Sequence, residues 1–412
     1  MNWIDLKGFV IDMHSKHRRK TALLMAAAMS ASLFLTACGS DKPVEPTPAT
    51  STPTTPGTTG TLPGGLISDV PINVTTAPQD TVSGPDASDP ATTAEPDPAI
   101  PSGVNFLTGL PQADETVNSR RPVAVVFNNL RRALPQHGIG SADVVFEVEA
   151  EGGITRIVGI FSDLSAVGTI GSVRSARPVM INIAMGLDCV FAHSGGSPQA
   201  YKDLAAYSVT DIDGLYDSGA VFYRDANRSK TMGVEHSLMT TGKRLSDKVQ
   251  KLQSAGTRMT LKDGYTAPFA FNERDTQPTG GTSAEKVTTK YGSYQPFFRY
   301  NQSAGTYQRY EYGAKHMDNE TGEQLSFKNV LVLSVKSSVI KGDSSGRRQF
   351  SDVGSGEGLY ATDGVAVPIK WSKASASAPL KLTCADGTAL KLNPGKTFIS
   401  YVNGIENAVA GN

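Results

Sequence analysis

Three stretches concentrate residue types that handle anions and protons. The first runs from Glu147 to Arg156, EVEAEGGITR. Gly152 and Gly153 suit a two-residue hairpin turn because both tolerate positive φ. In that register Glu151 faces Ile154, Glu149 faces Arg156 and Glu147 faces Val158. Three carboxylates then share one side, while Val144, Phe146, Val148 and Ala150 form the core side. Such a face is either a solvated surface with a weak Glu149–Arg156 pair or the charged wall of a site.

The second stretch is Gly171 to Pro178, GSVRSARP. Ser175 is the expected N-cap of a helix and Pro178 suits its first turn, which sets free N–H groups and the positive end of the helix dipole beside Arg174 and Arg177. That combination suits an anion, since arginine's planar fork recognises phosphate or carboxylate in bidentate fashion. The third stretch follows an apolar strand, Cys189 to His193. The loop Ser194, Gly195, Gly196 leads into Ser197 and Pro198, a second glycine loop opening a helix. Ordinary helix capping, with the arginines paired to nearby carboxylates, is the plainer alternative in both places. His193 and His236 titrate near neutrality and suit acid–base chemistry or a hydrogen-bonded structural role. No HExxH, GxSxG, Walker loop or paired-cysteine spacing occurs, and no metal or cofactor is expected.

The elements that must position these residues read as α+β. Strands are expected at 122–128, 143–150, 154–162 and 189–193, and helices at 175–187, 197–207 and 240–253. Helical periodicity ends after Pro268. Strands are expected at 288–291, 297–300, 307–312, 330–338, 359–362, 365–371 and 397–402, parted by turns such as Asp318-Asn319 and Asp363-Gly364. A mixed α/β domain over 104–267 followed by a β-rich domain over 268–412 is the expected organisation.

Ahead of them, Lys16 to Lys20 form a basic head before an apolar run from Thr21 to Leu35, closed by Leu35-Thr36-Ala37-Cys38. This is the pattern of a lipoprotein signal over residues 1–37, with Met13 a plausible start and Cys38 the residue that takes the lipid. Residues 38–103 are rich in Thr, Pro, Ser and Gly and cannot bury enough apolar area to fold, so they read as a disordered tether spanning roughly 45 Å as a flexible coil. The formal net charge of zero conceals an acidic tether and a mildly basic remainder, and nothing argues for nucleic acid. Of three cysteines, Cys189 and Cys384 remain after the lipid site. They are either two free thiols or one inter-domain disulfide, and neither has redox or zinc spacing.

Several ordered motifs together resemble the YerB-type lipoproteins, a two-part bacterial family of unassigned function. They are RRPVAVVFNN (120–129), SADVVFEVEAEGGITR (141–156), IGSVRSARP (170–178), HSGGSP (193–198), FYRD (222–225) and NPGKTFISYV (393–402). Glu147, Glu151, Arg156, Arg174, Ser175, Arg177, His193, Gly195, Gly196, Ser197 and Arg224 match the family's pattern and form the candidate ligand-binding set. Glu149 departs from an apolar residue, Ser172 from a proline, and Glu235-His236-Ser237 from a Pro-His-Asn pattern, which weakens a role for His236. The resemblance implies an extracytoplasmic, lipid-anchored protein and supplies no reaction.

The leading expectation is recognition of an anionic cell-envelope ligand, such as a peptidoglycan or wall-polymer fragment, through Arg156, Arg174, Arg177 and the two helix starts. Two other classes stay open. One is an envelope enzyme for phosphoryl or glycosyl-phosphate transfer, for which clustered arginines and a carboxylate are natural equipment. The other is a scaffold that docks a membrane protein through the β-rich half. In each case the membrane is a partner through lipid on Cys38.

Overall fold

In the computed structural model the described residues are 99–412, Ser218 excepted; the signal segment, Cys38 and nearly all of the tether lie outside them. The strand Val123–Asn128 (β1) is buried along its whole length, as expected of a near-continuous apolar run covered on both faces. It belongs to an eleven-stranded sheet. The other strands of that sheet, in chain order, are β2 (Val144–Glu151), β3 (Ile154–Phe161), β4 (Val190–His193), β5 (Asp211–Asp213), β6 (Thr282–Ser283), β7 (Asn329–Ser334), β8 (Gly354–Thr362), β9 (Val365–Lys373), β10 (Lys381–Cys384) and β11 (Thr397–Val402). Their spatial order is β6-β9-β8-β7-β11-β2-β3-β1-β4-β5, with β10 paired to β9. The N-terminal part is mixed α/β and the C-terminal part β-rich, and one sheet runs through both. The join is β11, which lies parallel to β7 on one side and to β2 on the other.

Helices α1 (Pro178–Gly186) and α2 (Pro198–Ala206) cover one face of this sheet, where Met180, Ile183 and Leu204 meet Val126, Phe146, Val158 and Ile399. The opposite face carries Phe127, Val145, Ile157 and Phe398. It is covered by α4 (Gly242–Ser254), after the short α3 (Ala226–Thr231), and by a second, six-stranded sheet. Leu245, Val249 and Leu252 share one side of α4, the i, i+4, i+7 spacing of a helix lying on a core. Phe298, Phe327 and Phe398 stack edge to face with centroids 5.0–6.4 Å apart, so each contributes packing beyond its buried area. No α-helix follows Ser254 among the described residues. Cys189 is buried, Cys384 partly so, and both are free thiols.

Candidate functional site

Gly152 and Gly153 turn the β2–β3 hairpin with φ of 56° and 78°. Beyond the turn the register departs from the one expected. A bulge between Glu149 and Glu151 sets Glu149 opposite Thr155, Val148 opposite Arg156 and Glu147 opposite Ile157. One extra residue reverses the in–out alternation past it. Glu147 therefore lies with Ile157 on the second-sheet face, while Glu151 crosses to the helix face with Arg156. The single acidic wall is not formed. The expected Glu149–Arg156 pair is replaced by Glu149–Arg348 at 2.9 Å and Glu151–Arg156 at 2.7 Å.

Glu151 holds two guanidiniums. Its Oε1 accepts from Arg156 Nη2 at 2.7 Å, and its Oε2 accepts from Arg177 Nε at 3.0 Å and Nη2 at 2.7 Å. Burial, reinforced by the charge of Arg177, pushes Arg156 down to about 9 against the pull of Glu151. Arg156 also donates to the Ser175 carbonyl at 2.7 Å, tying β3 to the 171–178 segment. Helix α1 begins at Pro178 with Arg177 as its N-cap and no side-chain cap, so Ser175 is not the cap expected. The reason is a competing pairing. Ala176 N–H donates to the Gly195 carbonyl at 2.8 Å and Ser197 N–H to the Ala176 carbonyl at 3.2 Å, which holds Ser175 extended beside the second glycine loop.

Ser197 caps α2, its Oγ accepting from Ala200 N–H at 3.1 Å. Gly195, at φ 71°, sends its N–H to Asp213 Oδ1 at 2.7 Å, and its carbonyl accepts from His193 Nδ1 at 2.8 Å. His193 is fully buried, and its Nε2 faces Asp211 Oδ2 at 3.1 Å. Both ring nitrogens are engaged by protein oxygens, so His193 and Ser197 shape the loop and present nothing to a ligand. His236 is buried as well, its Nδ1 accepting from Asn128 at 2.7 Å.

These contacts place Arg174, Ser175, Gly195, Gly196 and Arg224 around one cleft of about 340 Å³. Sequence reasoning missed other residues that line it, among them Tyr201, Leu215, Glu235 and Leu238. Tyr201 is fixed by donating its hydroxyl to Asp213 Oδ2 at 2.8 Å. Arg174 donates to the Glu235 carbonyl at 3.0 Å and Arg224 to the Val234 carbonyl. Unlike Arg156 and Arg177, neither forms an ion pair with a carboxylate among the described residues. Burial pushes Arg174 below its ordinary value; Glu151 and Glu235 oppose that shift, while Arg177 and Arg224 add to it. Glu235 is held below the usual carboxylate range by its own backbone N–H and by the charges of His236, Arg174 and Arg132.

Glu147 lies elsewhere, in a buried cluster facing the second sheet. It accepts from Arg309 Nη2 at 2.8 Å, Thr155 Oγ1 at 2.8 Å and Asn129 Nδ2 at 3.1 Å. Arg309 is wholly buried, with Phe398 and Phe298 ring centroids 4.8 and 5.6 Å from its guanidinium carbon. Burial and the Arg309 charge hold His316 well below its ordinary value, so it is neutral and its Nε2 meets Gln136 Oε1 at 2.6 Å. Burial pushes Glu311 up to about 7, against Arg309 and the Tyr294 hydroxyl that donates to it at 2.7 Å. An acid whose folded value is raised binds its proton more tightly when folded, so its contribution to stability falls as pH rises from the unfolded value near 4.5 to about 7. Urea midpoints at pH 5 and pH 8 are therefore expected to differ, between the native protein and Glu311→Gln, by on the order of 2 kcal/mol of stability that only the native protein loses on going to pH 8. Equal pH responses would show that Glu311 titrates normally.

A larger cleft, about 410 Å³, opens at the hairpin tip beside Gly152, Lys290 and Asn403. Its guanidinium, Arg348, is already neutralised by Glu149. The smaller cleft holds two guanidiniums without a carboxylate partner among the described residues, against the single ammonium of Lys290 in the larger, and is the better candidate for bidentate anion recognition.

Two family descriptions match the chain. "Protein of unknown function (DUF3048) N-terminal domain" matches residues 107–255, and its C-terminal counterpart matches residues 286–399. "Putative lipoprotein YerB" of Bacillus subtilis is 32% identical over 308 residues, 73% of this chain and 87% of that protein. The crystal structure of YerB from Bacillus subtilis matches with a TM-score of 0.64 at 30% identity, over 75% of this chain and 99% of that one. The chain thus belongs to the DUF3048 family, whose function is unknown.

Proposed function

We propose that the protein is an extracytoplasmic lipoprotein, acylated at Cys38, that binds an anionic ligand of the cell envelope in the Arg174–Arg224 cleft. The observation that carries this reading is the state of the two arginines. They stand on a concave surface beside Glu235, with no carboxylate paired to either among the described residues. An incoming phosphate or carboxylate would accept charge-assisted hydrogen bonds from both and offset the burial, and the lesser repulsion from Arg177 and Arg224, that lower Arg174. The relative's description as a lipoprotein supports the location. Catalysis fits less well, because neither His193 nitrogen reaches the cleft and Glu235 is a weakened base.

The test is calorimetric titration of phosphorylated wall-polymer and peptidoglycan fragments into the full chain carrying Cys38→Ala, so that no lipid is attached. Arg174→Ala/Arg224→Ala is expected to weaken binding about a hundredfold, the loss of two charge-assisted contacts, while unfolding stays cooperative. Equal affinities in the two proteins would move the ligand away from this cleft.

A further inference from the structure

The rim of the same cleft has a second chemical character. Among the described residues eight large apolar side chains are exposed; one of them, Leu215 at 58%, lines the cleft, and two more, Tyr216 at 75% and Val234 at 57%, are chain neighbours of the lining residues Leu215 and Glu235. Leu215 lines the cleft directly and Tyr216 follows it in the chain. Val234 is tied to the cleft through its carbonyl, which accepts from Arg224, and through its neighbour Glu235, which lines the cleft. Scattered single apolar residues on a surface need no explanation; a set flanking a pair of unneutralised arginines points to a ligand with both features.

We infer that the ligand is amphipathic, a phosphate-bearing lipid whose headgroup is held by Arg174 and Arg224 while the start of its apolar part lies on Leu215, Tyr216 and Val234. This rests on the proposed anion site and names its ligand class. A free sugar phosphate would satisfy the arginines and leave the rim in water. A purely apolar ligand would desolvate the guanidiniums with nothing in return, which is costly. Only a ligand joining the two chemistries uses both halves of the surface. Its source is taken to be a lipid, and a soluble phosphate serves as the control.

The experiment titrates dihexanoyl phosphatidic acid, kept monomeric below its micelle concentration, and glycerol 3-phosphate into the full chain carrying Cys38→Ala. The lipid is expected to bind about tenfold more tightly or better, since a few methylenes leaving water suffice for that. Tyr216→Ser/Val234→Ser, at two residues outside the cleft's lining, is expected to abolish most of that gain and leave glycerol 3-phosphate binding unchanged. Arg174→Ala/Arg224→Ala is expected to weaken both ligands. Equal affinity of the native protein for the two would overturn the amphipathic inference while leaving the anion site standing. No binding of either would overturn both. A lipid preference that survives the serine pair would place the apolar contact elsewhere and sink the assignment of this rim.

Discussion

Replacing Arg309 by methionine is expected to lower the stability of the fold by about 3–5 kcal/mol, the range for breaking a buried ion pair from one side. The substitution keeps much of the volume packed between Phe298 and Phe398. What it removes is the positive charge facing Glu147 at 2.8 Å and Glu311 at 3.7 Å. The other base beside them, His316, whose Nε2 lies 3.2 Å from Glu311, is held neutral first by its burial, which the substitution leaves in place. Adding Glu147→Gln to the methionine variant is expected to recover part of the loss, since the amide can keep the bonds to Thr155 and Asn129 without an orphaned charge. Urea midpoints of native, single and double variants decide the matter. A single variant as stable as the native protein would mean that the cluster contributes only geometry.

Glu151→Gln is the second large effect, expected at about 2–4 kcal/mol because two buried guanidiniums lose their common counter-charge. Its consequence reaches the cleft. Arg156 and Arg177 would repel one another across a neutral amide, and Arg156 is what fixes the Ser175 carbonyl. The 171–178 segment is then expected to loosen, with faster hydrogen exchange at Ala176 and Ser197, whose N–H groups join it to the glycine loop. Weakened ligand binding should follow even though Glu151 is not among the cleft's lining residues. Unchanged exchange at both amides would show that the segment holds its shape without the triad.

Much of the architecture was legible in the sequence because it rests on local patterns. The buried run of β1, the Gly152–Gly153 turn, the Ser197 cap and the end of helical periodicity before the β-rich part are all set by neighbouring residues. The bulge at Ala150 was not legible. Alternation in EVEAEGG is unbroken, and the irregularity exists because Glu151 reaches Arg156 and Arg177, a contact that no local rule describes. The same limit hid the Arg309 cluster. Tyr307, Arg309 and Glu311 visibly share one side of the strand Thr306–Glu311, but only the docking of that sheet on Glu147, Asn129 and Gln136 makes the shared side an interior. For the cleft, local reading found the arginines and glycines and missed Leu215, in a turn, and Glu235, in the single 3-10 turn Val234–His236, both too short to carry a periodicity that would announce them.

The placement of β11 bears on how the molecule comes into being. Val144 of β2 pairs with Thr397, and Asn329 of β7 pairs with the same residue from the other side. Until that late segment has emerged, β2, the strand carrying Glu147 and Glu151, presents an open edge, and the two flanks of the sheet have nothing between them. Contacts so distant along the chain form slowly and leave edges exposed meanwhile. A chain made from its N-terminus onward therefore completes this sheet only once residues 397–402 are in place.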